Sequence, residues 1–115
     1  PNWTADLVVE RMVEAFSRQP LAFYSPRAGV FVSALTGQAI SSGQWVVNAQ
    51  RLLGYDSNEC RMLLVYVTRM AGQSGASISQ TCASWGWNRS TFEETWRRAA
   101  ERLAAHLCEL GENTD

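Results

Sequence analysis

The order of helix-capping residues and helix-ending glycines constrains the fold of this chain more than any other feature. Apolar residues recur at intervals of three and four in five segments, which is the spacing of one face of an α-helix. Gly54 and Gly86 follow two of these segments, and glycine is favoured just after the last turn of a helix. The pattern predicts an all-α fold of about five helices.

Residues that suit helix N-caps give the bounds of these helices. Ser77 with Gln80 forms a capping box, Asn88 is a good N-cap, and Glu59 stands three residues after Asp56, which predicts a second capping box. The predicted helices cover residues 5–18, 44–53, 57–71, 77–85 and 88–110. Residues 20–43 follow no clear pattern, and the short alternating stretch at 30–32 is compatible with either a strand or a helix.

Length and composition indicate one compact domain. The chain has 115 residues, of which 46% are hydrophobic, and five of them are Trp. A chain of this size holds one core, so we expect a single helical domain over residues 1–110 and a frayed acidic tail at 111–115. No apolar run reaches the roughly 18 residues of a membrane span, and residues 1–6 lack the pattern of a signal peptide. We therefore expect a cytoplasmic protein with no membrane partner.

Few residues suited to catalysis or metal binding are present. His106 is the single histidine, and Cys60, Cys82 and Cys108 are widely spaced without a C-x-x-C pair. We therefore predict no enzyme activity, no metal site and no cofactor, and we expect the three cysteines to be reduced and buried. The acidic residues of the first helix are expected to form a solvated face.

The charge of the chain is close to balanced. Its formal net charge is -1, which lacks the basic excess that nucleic-acid-binding domains often carry. All the basic residues are arginine, whose planar fork suits phosphate or guanine. The spacing also predicts two ion pairs along the last helix, Glu93 with Arg97 and Glu94 with Arg98.

The last two helices are predicted to form a helix-turn-helix over residues 77–107. A short capped helix, a turn containing Gly86 and a longer amphipathic helix follow one another in the order of this motif. Glycine suits the turn because a chain reversal between helices often needs a left-handed backbone. Trp85 and Trp87 are expected to fill the wedge between the helices, and Trp45 and Trp96 to pack in the core.

This segment resembles the helix-turn-helix of sigma factor region four. The family pattern is S-x-x-E-I-A-x-x-L-G, a hydrophobic residue and S-x-x-T-V, followed by an R-A-x-x-R-L helix. The positions of this chain that match the pattern are Ser77, Gly86, Thr91, Arg98, Ala99, Arg102 and Leu103. Among the positions that depart from it are Gln80, Thr81, Cys82 and Asn88, where the family has Glu, Ile, Ala and Ser.

The chain is also similar to an uncharacterised family of small phage and prophage proteins. The similarity covers residues 3–8, the helix end at 69–72 and residues 91–99, and it leaves residues 21–42 uncovered. This resemblance implies a helix-turn-helix protein from a mobile genetic element.

The resemblance to sigma factor region four implies a DNA-binding face at the start of the last helix. The residues expected to contact DNA are Gln80, Arg89, Ser90, Thr91, Glu93, Glu94 and Arg97. Arginine forks onto guanine O6 and N7, glutamate accepts from cytosine N4, and helix N-termini hold phosphates. Arg98 and Arg102 are expected to have structural roles.

The expected function is that of a homodimeric regulator of transcription that binds double-stranded DNA at two half-sites. One alternative is a small terminase-like subunit that acts in DNA packaging. The other is an adaptor that keeps a helix-turn-helix fold without binding DNA and docks on a polymerase or on another phage protein. Glutamates on the proposed recognition helix favour the adaptor, because carboxylates repel phosphates. The sequence assigns no role to residues 21–42.

Overall fold

The computed structural model describes residues 2–17, 22–25, 30–33, 43–54, 56–72 and 77–112 of the chain. Its helices are α1 (Ala5–Ser17), α2 (Gly43–Leu53), α3 (Asn58–Met70), α4 (Ile78–Trp85) and α5 (Arg89–Leu110). The prediction of an all-α fold with about five helices is confirmed. Arg18, the predicted last residue of the first helix, lies outside the described residues.

A short antiparallel hairpin lies between α1 and α2 in the chain. β1 (Ala22–Ser25) pairs with β2 (Val30–Ser33), with Phe23 opposite Val32 and Tyr24 opposite Phe31, and β1 lies beside α3. The alternating stretch at 30–32 is therefore a strand. Spacing alone left it unassigned because a run of about four residues is too short to separate the period of a strand from that of a helix.

The helices α1, α3 and α5 pack around one apolar core, and α2 lies against α3 and α5. The largest fully buried side chains include Met12 of α1, Leu63 and Leu64 of α3, and Phe92 and Leu103 of α5. Burial of one such side chain contributes about 1.5–3 kcal/mol to the free energy of unfolding. These contacts fix the orientation of α5 and leave its opposite face exposed.

The start of α3 differs from its predicted cap. Ser57 is the N-cap, and its hydroxyl accepts a hydrogen bond from the Cys60 N–H at 3.1 Å. The capping box that was predicted to begin at Asp56 is therefore wrong, because Asp56 precedes the N-cap. The Asp56 carboxylate instead pairs with the Arg61 guanidinium at 3.4 Å.

The N-terminal segment is tied to the C-terminal end of α5. The Trp3 indole N–H donates to the Glu112 carbonyl at 3.1 Å, and the Cys108 sulfur lies 3.6 Å from the Trp3 carbonyl oxygen. Gly111 ends the helix with a left-handed φ of 68°, and the Glu112 N–H donates to the Leu107 carbonyl at 3.1 Å. Residues 111 and 112 thus have defined contacts, residues 113–115 lie outside the described residues, and the frayed acidic tail at 111–115 stays a prediction.

The three cysteines are free, and they differ in exposure. Cys60 and Cys82 are buried as expected, whereas Cys108 is exposed, so its predicted burial is wrong. Burial raises the pKa of the Cys60 thiol to about 11, against the opposing effect of the Arg61 charge. Burial also raises the pKa of Cys82 above its ordinary value.

In the described part of the chain, no helix combines the length and the apolar character that crossing a bilayer requires.

Candidate functional site

The helices α4 and α5 form a unit joined by residues 86–88. The capping box at the start of α4 is confirmed: Gln80 Oε1 accepts from the Ser77 N–H at 2.8 Å, and Ser77 Oγ accepts from the Gln80 N–H at 3.1 Å. The side-chain oxygen of Gln80 is thus used inside the protein, although the residue is exposed. Gln80 therefore helps to cap the N-terminus of α4.

The turn between the helices closes as the glycine pattern predicts. Gly86 has a φ of 71°, and its N–H donates to the Ala83 carbonyl, while the Trp87 N–H donates to the Cys82 carbonyl at 2.8 Å. Asn88 then caps α5, since its side-chain oxygen accepts from the Thr91 N–H at 3.2 Å. Backbone groups at the end of α4 and at the start of α5 therefore find hydrogen-bond partners within a connection of three residues. These bonds define the junction between the two helices.

Arg89 links the two helices beyond the turn. Its Nη1 donates to Ser79 Oγ at 2.8 Å, and its Nε donates to Glu93 Oε1 at 3.2 Å. The Arg89 side chain is 51% exposed, so part of its charge remains open to solvent. Arg89 therefore combines an interhelical contact with an exposed positive charge at the start of α5.

Glu93 uses both carboxylate oxygens within the protein. Oε1 accepts from Arg89, and Oε2 accepts from the Trp96 indole N–H at 3.0 Å. The predicted Glu93–Arg97 ion pair is not formed: the Glu93 carboxylate pairs with Arg89, and the Arg97 guanidinium lies over the Trp96 ring. The predicted Glu94–Arg98 pair is also missing from the ion pairs of the described residues.

Arg97 lies on an aromatic platform instead of a carboxylate. Its guanidinium carbon is 5.1 Å from the centroid of the Trp96 ring. Trp96 stacks in turn on Tyr66 of α3, with ring centroids 3.8 Å apart and an interplanar angle of 9°. Burial and, next, the Glu93 charge raise the pKa of Tyr66, so its ring is neutral in this stack at ordinary pH.

The outward face of α5 from Ser90 to Glu101 carries charge of both signs. Its exposed side chains are Ser90, Thr91, Glu94, Arg97, Arg98 and Glu101. Of the seven predicted contact residues, six are exposed, and Glu93 is half-buried beside Arg89 and Trp96. The structure thus brings the predicted residues to one end of the α4–α5 unit, but it gives Glu93 an internal role.

The aromatic residues near the turn are only partly core residues. Trp87 packs against the core and stacks on Phe92 with centroids 5.7 Å apart, while Trp85 stacks on Trp87 at 5.6 Å. Trp96 is buried, as predicted, and Trp45 is half-buried beside Trp3. The expected wedge role describes Trp87 well and Trp85 less well.

Arg102 lies farther along α5 and points to a different part of the molecule. Its guanidinium donates to Glu59 Oε2 of α3 at 2.6 Å and to the Leu52 carbonyl of α2 at 3.4 Å. Arg102 therefore has a structural contact with two helices. Arg98, for which a structural role was also expected, has no ion pair or ring contact within the described residues.

Sequence reasoning missed three residues of this region. Ser79 receives the Arg89 guanidinium, Trp96 supports Arg97, and Glu101 extends the exposed charged face. A spacing signal was present for Glu101, which follows Glu94 and Arg97 on the same helical face. No sequence signal pairs Ser79 with Arg89, because that contact depends on how the turn places the two helices.

No cluster of three or more His, Cys, Asp or Glu side chains suited to a metal ion occurs in residues 2–17, 22–25, 30–33, 43–54, 56–72 and 77–112.

Comparisons with known protein families, with curated proteins and with solved structures gave no match to this chain.

Proposed function

We propose that this chain is a helix-turn-helix DNA-binding protein of phage or prophage type that regulates transcription as a homodimer. In this proposal α4 and α5 are the two helices of the motif, and the start of α5 enters the major groove. Arg97 contacts a base edge, Arg89 contacts base or phosphate, and Ser90, Thr91 and Gln80 contact the backbone. Glu94 meets a cytosine amino group, and Glu93 acts from within the protein by holding Arg89 and Trp96.

The observation that carries the proposal is that Arg97, an exposed arginine of α5, is not in an ion pair with a carboxylate of the described residues. The guanidinium of Arg97 has no carboxylate within 4 Å among the described residues, although Glu93 stands one helical turn away. A surface that served only to solvate the helix would gain from that ion pair, by about 0.2–0.5 kcal/mol. An arginine kept out of a local ion pair retains its donors for a phosphate or a guanine.

An adaptor function is the second candidate, and one observation favours it. Glu94 and Glu101 are exposed on the same face as Arg97 and Arg98, so the face is nearly neutral overall. Such a face suits a protein partner of mixed charge better than a phosphate backbone. A terminase-like subunit would instead place the same DNA-binding face in a ring, which light scattering distinguishes from a dimer by mass.

A random pool of DNA duplexes with a salt titration tests the proposal. We expect the wild-type protein to retain duplexes at ~50 mM salt and to lose affinity as the salt concentration rises. A plot of the logarithm of the association constant against the logarithm of the salt concentration should have a slope of about -0.9 per phosphate contacted. Sequencing of the retained duplexes then gives the preferred site. Failure to retain any duplex at this salt concentration contradicts the proposal and leaves the adaptor as the better account.

Matched variants separate the α5 face from general charge effects. Arg97→Ala removes one exposed arginine of α5, and Arg51→Ala removes one exposed arginine of α2. We expect Arg97→Ala to weaken binding of the preferred site by about tenfold to a hundredfold and Arg51→Ala to change it little. Equal effects of the two variants would mean that binding is not made by the α5 face.

A further inference from the structure

The adjacent arginines Arg97 and Arg98 have the same charge and are both exposed, but their surroundings differ. The Arg97 guanidinium lies over the Trp96 ring, whereas Arg98 has no ring or carboxylate partner in the described part of the chain. A guanidinium over an aromatic face is held by attraction to the π-system. Arg97 therefore loses less side-chain freedom than Arg98 when it meets a ligand.

The ring that supports Arg97 is itself fixed from two sides. Trp96 is only 7% exposed and stacks on Tyr66 at 3.8 Å. Its indole N–H donates to Glu93 Oε2 at 3.0 Å, which sets the rotation of the ring in its plane. The platform is thus held by packing on one side and by a charge-assisted hydrogen bond at its edge.

The same hydrogen bond keeps Arg97 available. Glu93 is four residues before Arg97, which is the favourable spacing for an ion pair on a helix. Both oxygens of Glu93 already accept hydrogen bonds, one from Arg89 and one from Trp96. The Glu93 carboxylate is thus directed toward Arg89 and Trp96, and the Arg97 guanidinium lies over the Trp96 ring without an ion pair to Glu93.

We propose that Arg97 is the specificity-determining residue of the DNA-binding face, that its target is a guanine in the major groove, and that Glu93 and Trp96 are its positioning residues. This inference rests on the proposed DNA-binding function. The Arg97 guanidinium carbon lies 5.1 Å from the centroid of the Trp96 ring, and its N–H groups form no ion pair with a carboxylate of the described residues. Guanine O6 and N7 accept two parallel hydrogen bonds from the N–H groups of a guanidinium. A preoriented fork makes both bonds at a smaller cost in entropy than a free side chain.

A pair of lysine variants tests this role at the preferred DNA site. Arg97→Lys and Arg98→Lys both keep the positive charge, and both remove the planar fork. The measurement is the ratio of affinities for the selected duplex and for the same duplex with the contacted guanine replaced. We expect Arg97→Lys to lower this ratio by about tenfold or more with little change in non-specific affinity, and Arg98→Lys to leave the ratio unchanged.

A pair of Glu93 variants tests the positioning step. Glu93→Gln and Glu93→Ala both remove the negative charge, but glutamine keeps a side-chain oxygen for the Trp96 indole N–H. We expect Glu93→Gln to keep the guanine preference and Glu93→Ala to lower it by about threefold to tenfold. Equal preferences in the two variants would contradict a positioning role for Glu93.

Two further outcomes separate this inference from the function on which it rests. If the wild-type protein retains no duplex, the DNA-binding function and the guanine contact both fail. If it binds with a sequence preference that Arg97→Lys does not alter, DNA binding stands and the role of Arg97 is overturned. The free protein offers an independent check by NMR, where the ring current of Trp96 should shift the Arg97 side-chain resonances upfield. Resonances at ordinary positions would contradict the platform.

Discussion

The two halves of α5 use their polar groups in opposite ways. In the second half, Arg102 contacts Glu59 and the Leu52 carbonyl, and the chain beyond it meets Trp3, so these contacts join α5 to distant parts of the sequence. In the first half, the polar contacts of Arg89, Glu93 and Trp96 stay within the α4–α5 unit. The polar contacts of the second half join α5 to other parts of the fold, and those of the first half arrange the surface of the α4–α5 unit.

This difference has a consequence for function. The contacts of the second half reach the core helices, and the exposed charges of the first half contribute little to holding those helices together. Surface residues that the fold does not need are the ones that binding can use, because a change there leaves the protein stable. We therefore expect changes at the exposed charges of the first half to act on binding, and changes at the contacts and buried side chains of the second half to act on stability.

The largest effect is expected in the second half at Leu103. This side chain is fully buried, so Leu103→Ala should lower the free energy of unfolding by about 2–5 kcal/mol. Urea denaturation measures the change. Glu94→Ala in the first half is the control, since an exposed position should change stability by less than about 0.5 kcal/mol. Similar losses of unfolding free energy in the two variants would contradict this expectation.

A smaller effect is expected at the turn that begins the first half. Gly86 has a left-handed φ of 71°, and a Cβ placed there would meet no atom within 4 Å. Gly86→Ala should therefore destabilise the protein by about 1–2 kcal/mol through backbone strain alone. Gly86→Asn should cost less, because asparagine tolerates this conformation better. If both variants are as stable as the wild type, the turn is not held in the left-handed form.

The contact between Trp3 and the residues that follow α5 should contribute about 1 kcal/mol to the free energy of unfolding. Trp3→Phe removes the indole donor to the Glu112 carbonyl and keeps an aromatic ring beside Trp45. Thermal unfolding measures the loss of stability.

Ending the chain after Leu110 should destabilise the protein as well, because it removes the Glu112 carbonyl that accepts from Trp3, whereas ending it after Glu112 should not. Equal stability of the two shortened chains would contradict this contact.

The smallest perturbation is chemical labelling of the cysteines. Cys108 is exposed, while Cys60 and Cys82 are buried, and burial raises the pKa of Cys60 to about 11. A thiol reagent at pH 8 should label one cysteine in the native protein and three after denaturation. Rapid labelling of all three thiols in the native protein would contradict their placement.

The raised pKa of Cys60 also implies a pH dependence of stability. Its contribution to the free energy of unfolding should be fully present below pH 9 and should fall as pH rises toward 11.

Most of the helical fold was predictable because its signals are local. The capping box at Ser77, the N-cap at Asn88 and the left-handed Gly86 depend on neighbours three or four residues away, and each is confirmed. The hairpin was not assigned because its strands are short. The predicted burial of Cys108 was wrong, because this side chain lies on the exposed side of α5. The contact of Trp3 with Glu112 joins residues far apart in the sequence, which no local pattern specifies.

The candidate site was predictable in position but not in its contacts. Spacing placed Glu93 and Arg97 on one turn and predicted an ion pair between them. Spacing alone does not show that the N–H of a buried indole requires an acceptor. In the structure, the Trp96 indole N–H donates to Glu93 Oε2. The contact of Arg89 with Ser79 likewise depends on the angle between two helices, which no local pattern specifies.

The most direct test of DNA binding by the first half of α5 is a map of backbone amide shifts by NMR as a short duplex is added. We expect the largest changes at Ser90, Glu94 and Arg97, with the amides of Arg102 and His106 nearly unchanged. Changes concentrated in the second half of α5, or no changes at low salt, would contradict the account.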